Sequence, residues 1–155
     1  MRKLITRLVS SVVAVGLAAG LAVAGAGTAS ADGPYNLVTN SAGGFGTADG
    51  WVDFKSRQRV EHDGVVEDYC DGQGQGDGYA PSLRTRVLFA NGSYAAWYPW
   101  RGDTRGCTAT GGVVVFGNHI HPDRTILRLE VQLCLRKDDG YTKGCVLKSF
   151  LNQHA

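Results

Sequence analysis

Beyond residue 32 the sequence lacks any long apolar run, any C-x-x-C pair and any of the short motifs that mark common catalytic sites. The missing apolar run predicts no membrane-spanning helix in that part of the chain. The missing C-x-x-C pair argues against zinc and thiol redox sites. The absence of G-x-S-x-G, H-E-x-x-H and P-loop patterns removes the best-marked hydrolase and nucleotide-binding classes.

The first 31 residues have the three-part pattern of a secretory signal peptide. A basic start, an apolar stretch and a small-residue end follow one another, and they are Arg2, Lys3, Arg7, 8–23 and Ala29-Ser30-Ala31. The apolar stretch is built mostly from small residues, and no basic flank follows it, which argues against a membrane anchor. We therefore predict cleavage before Asp32 and a soluble, extracellular mature chain.

The apparent basicity of the chain belongs to this leader. The leader holds three of the 16 Lys and Arg residues and none of the 14 Asp and Glu residues, so its removal changes the formal charge from +2 to −1. A near-neutral chain lacks the gross positive charge that DNA, RNA or an anionic membrane attracts. We therefore expect no nucleic-acid partner.

Alternating apolar and polar residues predict strands in most of the remaining chain. Val52, Phe54 and Val60 share one parity, and five Leu and Val residues do so within 126–136. Residues 61–64 predict a turn after the first of these runs. Residues 32–50 show no such period, so we interpret them as an irregular arm or first strand. We predict that residues 51–155 form one all-β domain, an antiparallel β-sandwich or small barrel of about seven or eight strands.

Asn91-Gly92 lies between two alternating runs and predicts a β-hairpin with a type I′ turn, which needs positive φ at both central residues. Counting outward from that turn places Arg86 opposite Trp97 on the solvent-facing side. A separate apolar run, residues 113–116, predicts a strand that is buried on both faces.

An even number of cysteines in a small exported domain predicts two disulfides. The cysteines are Cys70, Cys107, Cys134 and Cys145. Of the three possible connectivities we favour Cys134 with Cys145, because these two flank a turn-like segment and face each other in a hairpin that pairs Leu133 with Val146. The remaining two cysteines then form the second bond.

Several features resemble those of small secreted β-sandwich proteins of actinobacteria. They are the leader, Cys70-Asp71 followed by the Gly-rich residues 74–78, and a late strand that ends in Cys134 with Cys145 beyond it. The likeness covers about residues 65–150. It implies a β-sandwich fold and an extracellular location, and it implies no particular reaction because those proteins have no settled activity.

Aromatic residues on solvent-facing positions are the best candidates for a binding site. Trp51 and Trp97 have such parities, Trp100 ends its run beside the Arg101 loop, and Arg86 faces Trp97. Exposed rings flanked by Arg and Asp can stack on sugars or anchor a protein partner. The alternative is that Trp51 and Trp97 only cover sheet edges. We predict a ligand-binding site formed by Trp51, Arg86, Trp97 and Trp100.

We therefore predict a secreted monomer that binds a ligand and does not catalyse a reaction. The ligand is a carbohydrate, a cell-wall polymer or an extracellular protein, and we expect no cofactor or resident metal. The alternative is a small hydrolase or nuclease that uses His62 or the His119/His121 pair, because imidazoles often transfer protons or bind metals. Two further patterns carry less weight. They are a possible calcium loop at Asp71–Asp77 and the tripeptide Arg101-Gly102-Asp103, a sequence known for cell adhesion.

Overall fold

The structure, a computed structural model, describes residues 31–41, 44–69, 78–103 and 112–155. Within these ranges it contains eight β-strands, and no described residue belongs to a helix that is long and apolar enough to cross a membrane. The strands are β1 (Gly33–Ser41), β2 (Gly44–Ser56), β3 (Arg59–Tyr69), β4 (Ala80–Phe89), β5 (Arg101–Gly102), β6 (Val113–Ile120), β7 (Ile126–Arg136) and β8 (Thr142–Leu151).

The strands form two antiparallel sheets of four strands that pack face to face. The first sheet has the order β1-β2-β3-β6, and the second has the order β5-β4-β7-β8. Along one side of the sandwich β1 lies against β8, where Nζ of Lys148 donates to the carbonyl oxygen of Pro34. The opposite side, between β4 and β6, holds an open cleft of about 180 Å³. The predicted antiparallel β-sandwich is confirmed.

The core is filled by alternate side chains of both sheets. In β4, for example, Leu83, Val87 and Phe89 point inward and are buried, whereas Arg84 and Arg86 point outward. Each fully buried apolar side chain of this kind stabilises the fold by roughly 1.5–3 kcal/mol relative to an exposed one. The period of two seen in the sequence therefore reflects the two faces of each sheet.

Residues 33–41 and 44–50 form regular β-structure instead of the irregular arm or irregular first strand that the sequence suggests. In β1 the buried Tyr35 and Thr39 alternate with exposed residues. The inward positions in the first half of β2 include Gly46 and Gly50, which are too small to produce a hydrophobic period. The lack of a side chain at Gly50 makes room for Tyr35, because a Cβ on Gly50 would lie 2.5 Å from the hydroxyl oxygen of Tyr35.

The segment that starts at Trp51 contains a chain reversal that the sequence pattern hides. A turn at Arg57-Gln58 separates β2 from β3, and residues 61–64, which the pattern suggests as a turn, lie within β3. A β-bulge between Phe54 and Ser56 returns the even-numbered side chains to the inner face after the turn. The hydrophobic period therefore continues across the reversal.

β7 and β8 pair in the predicted register. Leu133 lies opposite Val146, and Cys134 is bonded to Cys145. The sequence separation of 11 makes this bond a local staple between neighbouring strands. The second predicted bond, Cys70–Cys107, lies outside the described residues.

The chain reverses at Asn91-Gly92 as predicted, but the turn type differs. Of the two residues only Gly92 has positive φ, at 80°. The N–H of Gly92 donates to the carbonyl of Phe89, and the N–H of Phe89 donates to the carbonyl of Ser93. The loop is therefore the three-residue form with glycine in the left-handed region, and the predicted type I′ turn is wrong.

Residues 94–100 run beside β4 without forming a regular strand. The N–H of Ala95 donates to the carbonyl of Val87, and the N–H of Tyr98 donates to that of Thr85. Between these two hydrogen bonds the segment advances by three residues while β4 advances by two, which a regular β-ladder does not allow. The predicted strand is therefore wrong. Every third side chain faces outward in one row, and the members of the row are Tyr94, Trp97 and Trp100.

Candidate functional site

The residues that the sequence suggests for ligand binding lie on two opposite faces of the sandwich. Trp51 lies on the outer face of the first sheet, where half of the side chain is exposed. Arg86, Trp97 and Trp100 lie together on the outer face of the second sheet. They cannot form one site, and the molecule has two candidate surfaces instead.

On the second sheet, arginine and aromatic side chains alternate in a row that we call the arginine ladder. In order it contains Arg128, Tyr94, Arg86, Trp97, Arg84, Trp100 and Arg136. The guanidinium carbon of Arg86 lies 4.0 Å from the ring centre of Tyr94 and 4.3 Å from that of Trp97. Arg84 lies 4.3 Å from Trp97 and 4.2 Å from Trp100. The predicted contact between Arg86 and Trp97 is confirmed.

Hydrogen bonds from β7 hold the central arginines in place. Nε of Arg84 donates to Gln132 at 2.8 Å, and Nε of Arg86 donates to the buried carboxylate of Glu130 at 2.8 Å. Arg84 and Arg86 are two residues apart on one strand, so Trp97, which is near both, lies between them. Both faces of this ring are covered, and no sugar can stack on it.

The first sheet carries a groove of about 380 Å³ on its outer face. Trp51 of β2, Asp63 of β3 and Phe116 of β6 are directly paired across three strands and form a row within it. Trp51 is 50% exposed and Phe116 is 80% exposed. Because neighbouring strands lie about 4.8 Å apart, the two aromatic residues are separated by about 10 Å, with a carboxylate between them.

Asp63 is the unpaired carboxylate of this groove. Lys55 forms ion pairs with Asp53 and Glu61, and Arg59 pairs with Glu61. The Asp63 carboxylate makes no hydrogen bond or ion pair with any residue in the described ranges, and it is exposed. It is therefore available to accept hydrogen bonds from a ligand.

Tyr35 fixes the middle of the row from inside the sandwich. Its hydroxyl donates to the backbone carbonyl of Asp63 at 2.9 Å. The ring and hydroxyl of Tyr35 occupy the space that a side chain on Gly50 would fill, and the hydroxyl also occupies that of a side chain on Gly64. Burial raises the pKa of Tyr35, and the charges of Asp63 and Asp49 raise it further. The hydroxyl thus remains a donor, and the β3 backbone is held under the groove.

Sequence reasoning missed Phe116 and Asp63. The run 113–116 suggests a strand buried on both faces, and this is wrong, because Val114 and Phe116 are 73% and 80% exposed. β6 is an edge strand of the first sheet, and its outer side chains have no covering layer among the described residues. A run made only of apolar residues does not show which side chains face outward. The polar Asn118 is exposed and His119 is buried, so these two residues indicate that the even-numbered side chains of β6 face outward.

Two buried histidines meet between the sheets, close to the open cleft. His62 of β3 and His119 of β6 direct their Nε2 atoms to Oγ1 of Thr85, at 3.3 Å and 2.9 Å. The ring of Tyr98 lies 4.0 Å from that of His119. Burial lowers the pKa of His62 to about 4 and that of His119 to about 3.

Both imidazoles are therefore neutral at pH 7, which fixes their hydrogen bonding. The Thr85 hydroxyl has one proton, so it can donate to one Nε2 and must accept from the other. The Nδ1 atoms of His62 and His119 are buried and have no partner in the part of the chain that the structure describes. Imidazoles with so low a pKa are weak general bases at neutral pH.

The other chemical candidates do not assemble into a site among the described residues. The ring of His121 packs against Phe89 at 4.8 Å, beyond the end of β6. No group of three or more His, Cys, Asp or Glu side chains within the described ranges is placed to hold a metal ion. Asp103 of the adhesion-like tripeptide is only 3% exposed. The possible calcium loop at Asp71–Asp77 lies outside the described residues.

Comparison with known proteins finds no matching family model, no matching curated protein and no matching solved structure. The resemblance to actinobacterial β-sandwich proteins therefore stays a prediction.

Proposed function

We propose that this chain is an exported binding protein that holds an extended glycan in the groove of the first sheet. The observation that carries the proposal is the row of Trp51, Asp63 and Phe116, in which an unpaired carboxylate lies between two exposed rings. Aromatic faces stack on the C–H faces of pyranose rings, and a carboxylate accepts hydrogen bonds from their hydroxyl groups.

The separation of the two rings favours a β-1,4-linked chain. Successive sugars in such a chain are turned over, so the first and third present the same face. Trp51 and Phe116, about 10 Å apart on the outer face of the sheet, are spaced to stack on these two sugars. Asp63 then faces the hydroxyl groups of the middle sugar.

The charge of the groove favours neutral or amino sugars over acidic ones. Lys55 and Arg59 offset the charges of Asp53 and Glu61, and Asp63 leaves the surface with a net charge of about −1. Asn118 at the rim adds an amide that can both donate and accept hydrogen bonds.

Export is the second part of the proposal. The signal-peptide pattern of residues 1–31 supports it, and the Cys134–Cys145 bond is compatible with an oxidising compartment. The alternative of a hydrolase or nuclease has less support, because the low pKa of His62 and His119 makes both imidazoles weak bases at pH 7.

Calorimetric titration with cellohexaose and chitohexaose tests the proposal. We expect binding to one or both, and we expect Trp51→Ala and Phe116→Ala each to weaken it by about tenfold, since an exposed stacking ring contributes on the order of 1–2 kcal/mol. Tyr141→Ala, which removes an exposed ring elsewhere, is the matched control and should leave the affinity unchanged.

A second comparison tests the shape of the ligand. Laminarihexaose, which has β-1,3 links and a curved chain, should bind more weakly than the straight β-1,4 oligosaccharides. The proposal is wrong if neither β-1,4 oligosaccharide binds, or if the two ring variants bind as tightly as the Tyr141→Ala control.

A further inference from the structure

The arginine ladder lies on the face opposite the glycan groove and has a charge of its own. It contains four arginines, and Glu130 is the one carboxylate among the described residues that pairs with them. The local formal charge is about +3, whereas the chain beyond residue 31 has a formal charge of −1. Positive charge is thus concentrated on this face.

The ladder holds these like charges close together. Burial lowers the pKa of Arg84, and the neighbouring Arg86 lowers it further. Cation–π contacts with Tyr94, Trp97 and Trp100 offset part of this repulsion and keep the guanidinium groups in line. A bound anion would relieve the repulsion without any rearrangement of the side chains.

The arginines keep hydrogen-bond donors for a ligand. Arg84 and Arg86 use Nε for bonds to β7, and their Nη atoms make no hydrogen bond with a described residue. About 28% of the Arg86 side chain and 29% of the Arg128 side chain are exposed. A planar guanidinium whose outer edge is free can bind a phosphate or carboxylate through two parallel bonds.

We infer that the arginine ladder binds a linear phosphodiester polymer without aromatic bases, of which poly(glycerol phosphate) is the simplest example. Arg84 and Arg86 lie about 7 Å apart along β4, a spacing similar to that of successive phosphates joined by three carbons. The charge of the polymer complements that of the face, and each phosphate offers oxygens to one guanidinium fork.

The covered rings argue against a nucleic acid on this surface. Proteins that bind single-stranded nucleic acids stack the bases on open aromatic faces. Arg84 and Arg86 cover both faces of Trp97, so this ring offers no such platform. A polymer that binds only through its phosphates needs no open aromatic face, so the covered ring does not weaken its binding.

The test is titration of the whole secreted protein with poly(glycerol phosphate) at 50 and 200 mM salt. If about three phosphates are neutralised, the affinity should fall by roughly twentyfold to fortyfold between these salt concentrations. The double variant Arg84→Gln/Arg86→Gln should reduce the affinity at least tenfold at 50 mM salt. Arg124→Gln is the matched control, because Arg124 also lies over a ring, that of Phe89, but stands outside the ladder.

Several results would overturn the inference. The first is that the wild-type protein does not bind poly(glycerol phosphate). The second is that Arg124→Gln loses as much affinity as the double variant. A third is tighter binding of single-stranded DNA or heparin than of poly(glycerol phosphate) by the wild-type protein. If the double variant does not fold, Arg136→Gln at the end of the ladder replaces it, with an expected loss of about threefold. Cellohexaose and chitohexaose titrations report on the opposite face, so the two proposals can fail separately.

Discussion

Thr85 and His119 join the two sheets through one hydrogen bond, with 2.9 Å between Oγ1 and Nε2. His62 directs its own Nε2 to the same oxygen at 3.3 Å. Protonation of either imidazole would place a charge between the sheets with no carboxylate bonded to it among the described residues. The fold should therefore be sensitive to acid.

The free energy of unfolding should fall as the pH falls from 7.5 to 5. In the unfolded chain both imidazoles have pKa values near 6.5, whereas in the folded chain the pKa values of His62 and His119 are about 4 and 3. Below pH 6.5 the unfolded state takes up protons that the folded state excludes, so unfolding becomes easier. We expect a loss of about 2 kcal/mol for each imidazole, measured by urea unfolding at the two pH values.

Two variants separate this effect from other titrations. His62→Gln should remove about half of the loss between pH 7.5 and 5, because glutamine does not titrate. His154→Gln, at an exposed position near the end of the chain, is the control and should retain the loss. An unfolding free energy that is equal at the two pH values in the wild-type protein would contradict the prediction.

Thr85→Val should destabilise the protein by about 1–3 kcal/mol at pH 7.5. Valine keeps the shape of threonine but removes the oxygen that both Nε2 atoms contact, so a buried imidazole N–H loses its acceptor. Thr85→Ser keeps the hydroxyl group and should cost less than Thr85→Val. Urea unfolding of both variants measures the difference, and a larger loss in the serine variant would show that packing of the methyl group dominates.

Removal of the disulfide should reduce stability by at most about 3 kcal/mol. In the chain-entropy account, a disulfide with a sequence separation of 11 reduces the entropy of the unfolded chain and raises its free energy by about this amount. The variant Cys134→Ala/Cys145→Ala tests it by urea unfolding, with the other two cysteines left in place. A loss well above 3 kcal/mol would mean that the bond also organises the folded hairpin, and no loss would mean that it stores compensating strain.

The sequence predicts the fold most reliably where large side chains alternate without interruption. The pairing of Leu133 with Val146 follows from the five-residue apolar period of β7 and the position of Cys145. The period fails in the first half of β2, because inward positions there are occupied by glycines that receive Tyr35 or Pro81 from other strands. The need for those glycines depends on partners far away in the sequence, so no local pattern reveals it.

The candidate site is harder to predict than the fold, since it depends on how strands from distant segments are ordered. The solvent-facing parity of Trp51 is predicted correctly, but its neighbours Asp63 and Phe116 follow only from the order β2-β3-β6. Trp97 is partly exposed and lies near Arg86 as predicted. The same contact, repeated by Arg84 on the other side, covers the ring and removes it as a stacking platform.

Gly117→Ala should both destabilise the protein and weaken its pH dependence. A Cβ on Gly117 would lie 2.1 Å from Nε2 of His62, so the imidazole must leave Thr85 and move toward the open cleft. Partial solvation there raises its pKa toward the ordinary value, and the loss of stability between pH 7.5 and 5 should shrink by up to about 2 kcal/mol. The double variant Gly117→Ala/His62→Ala supplies the control, because without the imidazole the new methyl group has room. Measured by urea unfolding, Gly117→Ala should cost less in the His62→Ala background than in the wild-type protein; an equal cost in both would rule out the contact with His62 as the cause.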